Sequence, residues 1–121
     1  MKGRKLQPIP KTRNLRRVYD SGAERARAKE LDCLQNLGKI NDLREQTVVE
    51  LVPGINYKTD FDYLEARRRV YEEVKGPVSE RFRMICHLWR QFGPGPLRIL
   101  RRRGDARPFH VTRTIFGGKT A

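Results

Sequence analysis

The residue types that most often perform catalysis or bind metal ions are few in this chain, and they are scattered. The candidates are two cysteines and two histidines, namely Cys33, Cys86, His87 and His110. They form no Cys-x-x-Cys and no His-x-x-x-His pair, the close spacings typical of zinc sites. Adjacent residues on a helix point about 100° apart, so we interpret Cys86 as a core residue beside a surface histidine. We expect no metal ion and no cofactor.

Other signals of ligand binding or catalysis are incomplete. Gly118-Lys119-Thr120 resembles the end of a phosphate-binding loop, but the glycine required five residues before Gly118 is Arg113. The acidic group Asp60, Asp62 and Glu65 is explained by the preference of helix starts for carboxylates. The Arg-Gly-Asp sequence at 103–105 fits a turn between two strands. We predict that the protein is not an enzyme and has no small-molecule substrate.

The strongest chemical signal is a run of arginines near the C-terminus. Five arginines fall within residues 98–107, interleaved with apolar residues such as Leu97, Ile99, Phe109 and Val111. This alternation predicts two strands around a turn at Gly104-Asp105, with one apolar and one basic face. Guanidinium groups bind phosphate in a bidentate manner, so the basic face indicates a nucleic acid. The alternative is a solvent-exposed edge hairpin that arginine keeps soluble.

The charge of the whole chain favours the same class of partner. The net charge is +13 over 121 residues, and 19 of the 27 basic residues are arginine. Residues 1–30 and 76–121 carry charges of +7 and +8, whereas residues 31–75 carry −2. Such basic ends indicate a polyanionic partner. An arginine bias from a GC-rich genome remains an alternative.

Three helices are predicted from apolar periodicity. The first starts at Ser21, with Glu24 completing a capping box, and ends at Gly38. Its apolar stripe comprises Ala23, Ala26, Leu31, Leu34 and Leu37. The second spans 59–76, where Phe61, Leu64, Tyr71 and Val74 share one side. The third spans 78–92, with a stripe of Val78, Phe82, Ile85, Cys86, Trp89 and Phe92.

The remaining segments complete the predicted organisation. Residues 41–52 fit either a strand or a helix, and Pro53-Gly54 predicts a turn. We predict an extended basic arm at 1–20, a helical region at 21–92, and a Gly/Pro break followed by a basic β-ribbon at 93–121. The expected fold class is therefore mainly α with a C-terminal β-hairpin, in the α+β class.

The N-terminus and the cysteines bear on the compartment. The first 19 residues are basic and contain no acidic residue, which fits a mitochondrial targeting segment, although Pro8 and Pro10 interrupt a helix there. We expect both cysteines to be reduced and buried, since two cysteines do not make a disulfide framework. No apolar run is long enough to predict a membrane span.

Three patches together resemble a known family, the mitochondria-specific small-ribosomal-subunit protein thirty-four. Tyr57, Asp60, Phe61 and Leu64 are similar to its Tyr-x-x-Asp-aromatic-x-x-Leu stretch. The sequence FGPGPLRILRR at 92–102 resembles its Phe-Gly-x-Gly segment. The sequence PFHVTR at 108–113 resembles its aromatic-x-(Leu/Val)-Thr-Arg strand. A tryptophan that the family has between the second and third patches is absent here.

The resemblance implies a structural protein of the mitochondrial small ribosomal subunit, in the matrix, that binds rRNA and neighbouring ribosomal proteins. The two basic ends supply the predicted RNA-binding residues: Lys2, Arg4, Lys5, Arg13, Arg16, Arg17, Arg98, Arg101, Arg102, Arg103, Arg107 and Arg113. Trp89 and Phe92 are expected to pack internally or on a neighbouring protein. The alternatives are an accessory subunit of a respiratory-chain complex and a free-standing nucleic-acid-binding protein.

Overall fold

The computed structural model describes residues 22–74, 79–102 and 108–119 of the chain. These residues form an α+β fold with two helices, a five-stranded mixed sheet and a two-stranded hairpin. The expectation of a mainly helical protein is wrong, because strands hold 42% of the described residues and helices 31%. The elements are α1 (Gly22–Asn36), β1 (Asn41–Glu45), β2 (Val48–Val52), β3 (Ile55–Lys58), β4 (Phe61–Glu65), β5 (Arg68–Val74), α2 (Glu80–Phe92), β6 (Leu97–Arg101) and β7 (His110–Ile115).

The five-stranded sheet has an apolar core on each face. Its strand order is β1-β4-β5-β6-β7, and β5 and β6 are its parallel pair. Parallel neighbours need a crossover connection, and α2 lies within it. On one face, α1 contributes Ala28 and Leu31 to a core that includes Phe61. On the other face, α2 and the β2–β3 hairpin cover Leu97 and Ile99. The sheet is therefore the middle layer of three.

The end of α1 agrees with the sequence prediction. Gly38 has a φ of +77°, which glycine adopts without steric cost. The Lys39 amide donates to the Leu34 carbonyl and the Gly38 amide to the Gln35 carbonyl, both at 2.9 Å, which is a Schellman motif. The expected cap Ser21 lies outside the described residues. Leu37, expected on the apolar stripe, is 70% exposed.

The prediction of the third helix is confirmed as α2. The Ser79 hydroxyl accepts a hydrogen bond from the Phe82 amide at 3.1 Å and caps the helix. The predicted apolar stripe faces the core, where its buried members are Phe82, Ile85, Cys86 and Trp89. Val78 of that stripe lies outside the described residues.

The helix expected at 59–76 is instead the antiparallel pair β4–β5. Its apolar and acidic residues are buried on both faces of the sheet, so the alternation that identifies a half-buried strand is hidden. Phe61 and Tyr63 lie in the α1 core, while Asp62 between them is also fully buried. The turn at Ala66 and Arg67 has φ values of 51° and 67° without glycine or asparagine. The residue types in this turn therefore did not predict a hairpin.

The segment left open between helix and strand, 41–52, forms β1 and β2. Gln46, with a φ of 58°, lies between the two strands. The turn predicted at Pro53-Gly54 is confirmed, since it joins β2 to β3 and Gly54 has a φ of 86°. The predicted helical region 21–92 thus contains five strands, whereas the predicted arm at 1–20 lies outside the described residues.

The two strands of the predicted ribbon pair with each other, but they form one end of the larger sheet. Ile99 is opposite Arg113, and Leu100 is opposite Val111, so Thr112 is an extra residue in β7. This is a β-bulge, which redirects side chains. Val111, expected on the packed face, is 47% exposed. The predicted turn at 104–105 lies outside the described residues.

The Gly/Pro break after α2 is a tightly packed loop around Trp89. The Trp89 indole is fully buried, and its Nε1 donates to the Gly95 carbonyl at 2.7 Å. A Cβ on Gly93 would lie 2.5 Å from Trp89 Nε1, and a Cβ on Gly117 would lie 2.1 Å from the Gly93 carbonyl oxygen. Glycine is required at both positions because backbone and indole approach too closely for a side chain.

Candidate nucleic-acid interface

Several described arginines are bound to buried carboxylates and serve the fold. Arg27 Nε and Nη2 donate to the two carboxylate oxygens of Glu72 at 2.9 and 2.7 Å. The Glu72 side chain is fully buried, and the Tyr63 hydroxyl also donates to it. A buried charge is tolerated only when it is paired and hydrogen-bonded in this way. Arg27 therefore neutralises Glu72 between α1 and β5.

A second buried carboxylate lies on the α2 face of the sheet. Asp62 Oδ1 accepts from Arg44 Nε at 2.8 Å and from Arg69 Nη1 at 2.7 Å. Arg69 also pairs with Asp42. Burial lowers the pKa of Arg44, but the hydrogen bond to Asp62 and the negative charges of Asp62 and Asp42 together raise it above the ordinary value. These two guanidinium groups are occupied within the fold.

Arg98, one of the predicted RNA-binding residues, is also bound by a carboxylate within the fold. Its Nη2 donates to Glu65 at 2.8 Å, and its Nη1 donates to the Tyr63 hydroxyl at 3.4 Å. Burial lowers the pKa of Arg98, but the interactions with Glu65 and Tyr63 together raise it above the ordinary value. The side chain joins β6 to β4 across the sheet.

We expect Arg98→Gln to reduce stability more than RNA affinity. Losing a partly exposed ion pair should cost about 0.5–1 kcal/mol of unfolding free energy, measured by urea denaturation. RNA affinity, measured by fluorescence anisotropy, should change less than twofold. A loss of affinity as large as that of Arg101→Gln would contradict the structural assignment of Arg98.

The buried tyrosine of this network predicts a response to alkaline pH. Burial raises the pKa of Tyr63 above its ordinary value of 10.0, and the negative charge of Glu72 raises it further. In the unfolded chain the phenol ionises near its ordinary pKa, so its contribution to stability is complete below about pH 10. It is lost as the pH rises from there toward the folded pKa.

Tyr63→Phe should therefore flatten the alkaline loss of stability by up to about 1.4 kcal/mol per pH unit. At neutral pH the variant should be less stable by about 1 kcal/mol, because Glu72 loses a donor. Urea denaturation between pH 9 and pH 11 measures both effects. Parallel pH profiles for the variant and the parent would show that Tyr63 does not remain protonated in the folded state.

Three other arginines converge on a cleft between α2 and the β6–β7 end of the sheet. The cleft has a volume of about 380 Å³, within the range of small-ligand pockets. We name it the arginine cleft, and it is lined by Phe82, Arg83, Cys86, Ile99, Arg101, Thr112 and Arg113. Arg83 comes from α2, Arg101 from the end of β6, and Arg113 from β7 beside the bulge.

The arginine cleft is strongly positive. Among the described residues, Arg101 and Arg113 have no carboxylate partner. Arg83 has one distant contact, 3.9 Å to Glu80, in which both side chains are largely exposed. Exposed pairs of this kind contribute little. Three like charges around one cavity repel one another and favour an anion that binds between them.

Arg102 lies outside the lining of the cleft, beside an aromatic ring. Its guanidinium carbon is 4.8 Å from the centre of the Phe109 ring, and that of Arg27 is 6.0 Å away. These are cation–π distances. The other predicted RNA-binding residues lie outside the described residues: Lys2, Arg4, Lys5, Arg13, Arg16, Arg17, Arg103 and Arg107.

The described residues were also compared with the predictions for metal ligands, cysteines and membrane spans. In residues 22–74, 79–102 and 108–119, no three His, Cys, Asp or Glu side chains are grouped to hold a metal ion. Cys86 is buried and His87 exposed, as expected, whereas Cys33 is exposed and was wrongly predicted to be buried. Neither helix in the described part has the length and apolar character needed to cross a membrane.

Sequence reasoning missed two residues of the cleft, Arg83 and Thr112. Arg83 is not part of the predicted apolar stripe of its helix, and only the packing of α2 on the sheet brings it into one cleft with Arg101. In a regular strand Thr112 would point away from the face of Arg113, but it is the extra residue of the bulge. Neither packing nor bulge leaves a local sequence signal.

Comparisons with known proteins add no relationship to these observations. No protein-family model matches the chain. No curated protein and no solved structure matches it either.

Proposed function

We propose that the chain is a structural, non-enzymatic protein that binds RNA, specifically rRNA in the small subunit of the mitochondrial ribosome. The arginine cleft would contact the phosphates, together with the basic residues that the sequence places at both chain ends. The ribosomal and mitochondrial part of the proposal rests on the family resemblance of residues 57–113. The RNA-binding part rests on the distribution of charge.

One observation carries the RNA-binding proposal: three arginines line one cleft. Arg27, Arg44, Arg69 and Arg98 are bound by carboxylates within the fold. Arg83, Arg101 and Arg113 instead surround one cleft. Other exposed arginines, such as Arg67 and Arg68, lie outside the cleft, so it is the concentration of three arginines around one cavity, rather than arginine content, that favours a bound anion. A concentrated positive site is what a phosphate backbone requires.

Neighbouring ribosomal proteins would contact the apolar surface near the same edge. Val111 in the edge strand β7 and Phe116 just after it are 47% and 62% exposed. Large apolar side chains on an exposed sheet edge favour contact with another chain. The function is thus steric and electrostatic: RNA on the arginine cleft, protein along β7.

The experiment is sedimentation of the tagged full chain from gently lysed mitochondria, with and without ribonuclease. We expect co-sedimentation with small-subunit rRNA and a shift or release after ribonuclease treatment. A large particle that ribonuclease leaves unchanged would instead favour an accessory subunit of a respiratory-chain complex. RNA binding without a ribosomal particle would favour a free-standing nucleic-acid-binding protein.

A further inference from the structure

The β-bulge places Thr112, a residue with a hydroxyl group, in the lining of the arginine cleft. In a regular strand, consecutive side chains point to opposite faces. Thr112 and Arg113 are consecutive, yet both line the cleft. They can do so because Thr112 is the extra residue of the bulge between the Ile99–Arg113 and Leu100–Val111 pairs.

The Thr112 hydroxyl has a defined role in hydrogen bonding. Its Oγ1 donates to the Ile99 carbonyl at 3.1 Å. A hydroxyl has one proton and two acceptor lone pairs. With the proton committed to Ile99, Oγ1 offers acceptor capacity to a ligand in the cleft. It therefore complements a ligand group that donates a hydrogen bond, beside guanidinium groups that bind an anion.

The base of the cleft is apolar. Phe82, Cys86 and Ile99 are each at most 6% exposed, and all three line the cleft. A phosphate group alone does not bind favourably to an apolar surface. A nucleobase does, since bases that are not stacked in a helix bind to aromatic and apolar side chains. In a duplex the bases are stacked inside and cannot enter such a cavity.

From these three features we infer that the arginine cleft binds one unpaired ribonucleotide of an RNA. The phosphate contacts Arg83, Arg101 and Arg113, and the base lies on the apolar floor. The ribose 2′-hydroxyl donates to Thr112 Oγ1, which distinguishes RNA from DNA. This inference rests on the proposed RNA-binding function and adds a preference for single-stranded or bulged RNA.

The test compares three probes by fluorescence anisotropy with the full chain: oligouridylate, oligodeoxyuridylate of the same length, and an RNA duplex. We expect the parent protein to bind oligouridylate about fivefold more tightly than oligodeoxyuridylate, the effect of one hydrogen bond. Thr112→Val should remove that difference by weakening RNA binding alone. Thr112→Ser keeps the hydroxyl and should retain the difference.

Thr114→Val is the matched control, because Thr114 lies in the same strand opposite Arg98 and outside the cleft lining. It should leave the RNA preference unchanged. Equal binding of all three probes, or a Thr112→Val variant that still prefers RNA, would overturn the nucleotide subsite while RNA binding itself stands. Absence of binding to every probe would overturn both the subsite and the proposed function.

Discussion

Replacing Arg83, Arg101 and Arg113 together with glutamine is expected to lower the affinity for single-stranded RNA on the order of a hundredfold. Each guanidinium is expected to form a charge-assisted hydrogen bond to phosphate, and about 1 kcal/mol for each gives this total. Because three phosphate contacts are lost, the slope of log affinity against log salt should become shallower by about 2. Anisotropy titrations at several salt concentrations measure both quantities.

The control for this variant removes the same charge elsewhere. Lys58, Arg67 and Arg68 are exposed and lie outside the arginine cleft. Their triple replacement by glutamine should reduce affinity only slightly. If this control weakens binding as much as the cleft variant does, then net charge rather than the cleft governs the interaction. Thermal unfolding should show both variants folded, since none of the six side chains is buried.

Replacing Trp89 with alanine is expected to have the largest effect on stability, a loss of about 3–5 kcal/mol. The indole is fully buried, and its ring centre lies 5.1 Å from that of Tyr71 and 6.2 Å from that of Tyr57 in edge-on arrangements. Its removal leaves a cavity between α2, the sheet and the β2–β3 hairpin. The Gly95 carbonyl loses its donor as well.

Trp89 is the sole tryptophan of the chain, so urea denaturation should be followed by circular dichroism. Small domains are stable by only about 5–15 kcal/mol, so a loss of this size can leave Trp89→Ala unfolded. Trp89→Phe retains most of the packing and should cost about 1–3 kcal/mol. Phe116→Ala, at a 62% exposed aromatic residue, is the control and should change stability by less than about 0.5 kcal/mol. Similar losses for Trp89→Phe and Phe116→Ala would contradict a central role for the indole.

The elements that sequence predicted correctly are those with a complete local signal. In α2, the apolar residues repeat with the helical period and one face of the helix is exposed, so the pattern is visible. Gly38 and Pro53-Gly54 were identified because a positive φ selects glycine. These signals depend on residues that are close together in the sequence.

The elements that sequence missed depend on distant partners. Asp62 was assigned to the acidic start of a helix, yet it is buried in a strand, where Arg69 neutralises it. Glu72 is likewise buried in a strand and is neutralised by Arg27. The same pairing decides which arginines remain without a carboxylate partner. Arg98 was predicted as a binding residue, but Glu65, 33 positions away, holds it within the fold. A linear charge count cannot separate paired from uncompensated arginines.

The two cores of the sheet differ in how much of the chain they require. The α1 core draws its buried residues from positions 28–70. The α2 core needs residues as far along as Ile115. During synthesis on a ribosome, the first core can therefore assemble from an earlier, more local stretch, and local contacts form faster than distant ones. The arginine cleft is built from residues 82–113 and is completed last. A nascent chain would thus acquire its folded α1 half before the cleft has formed.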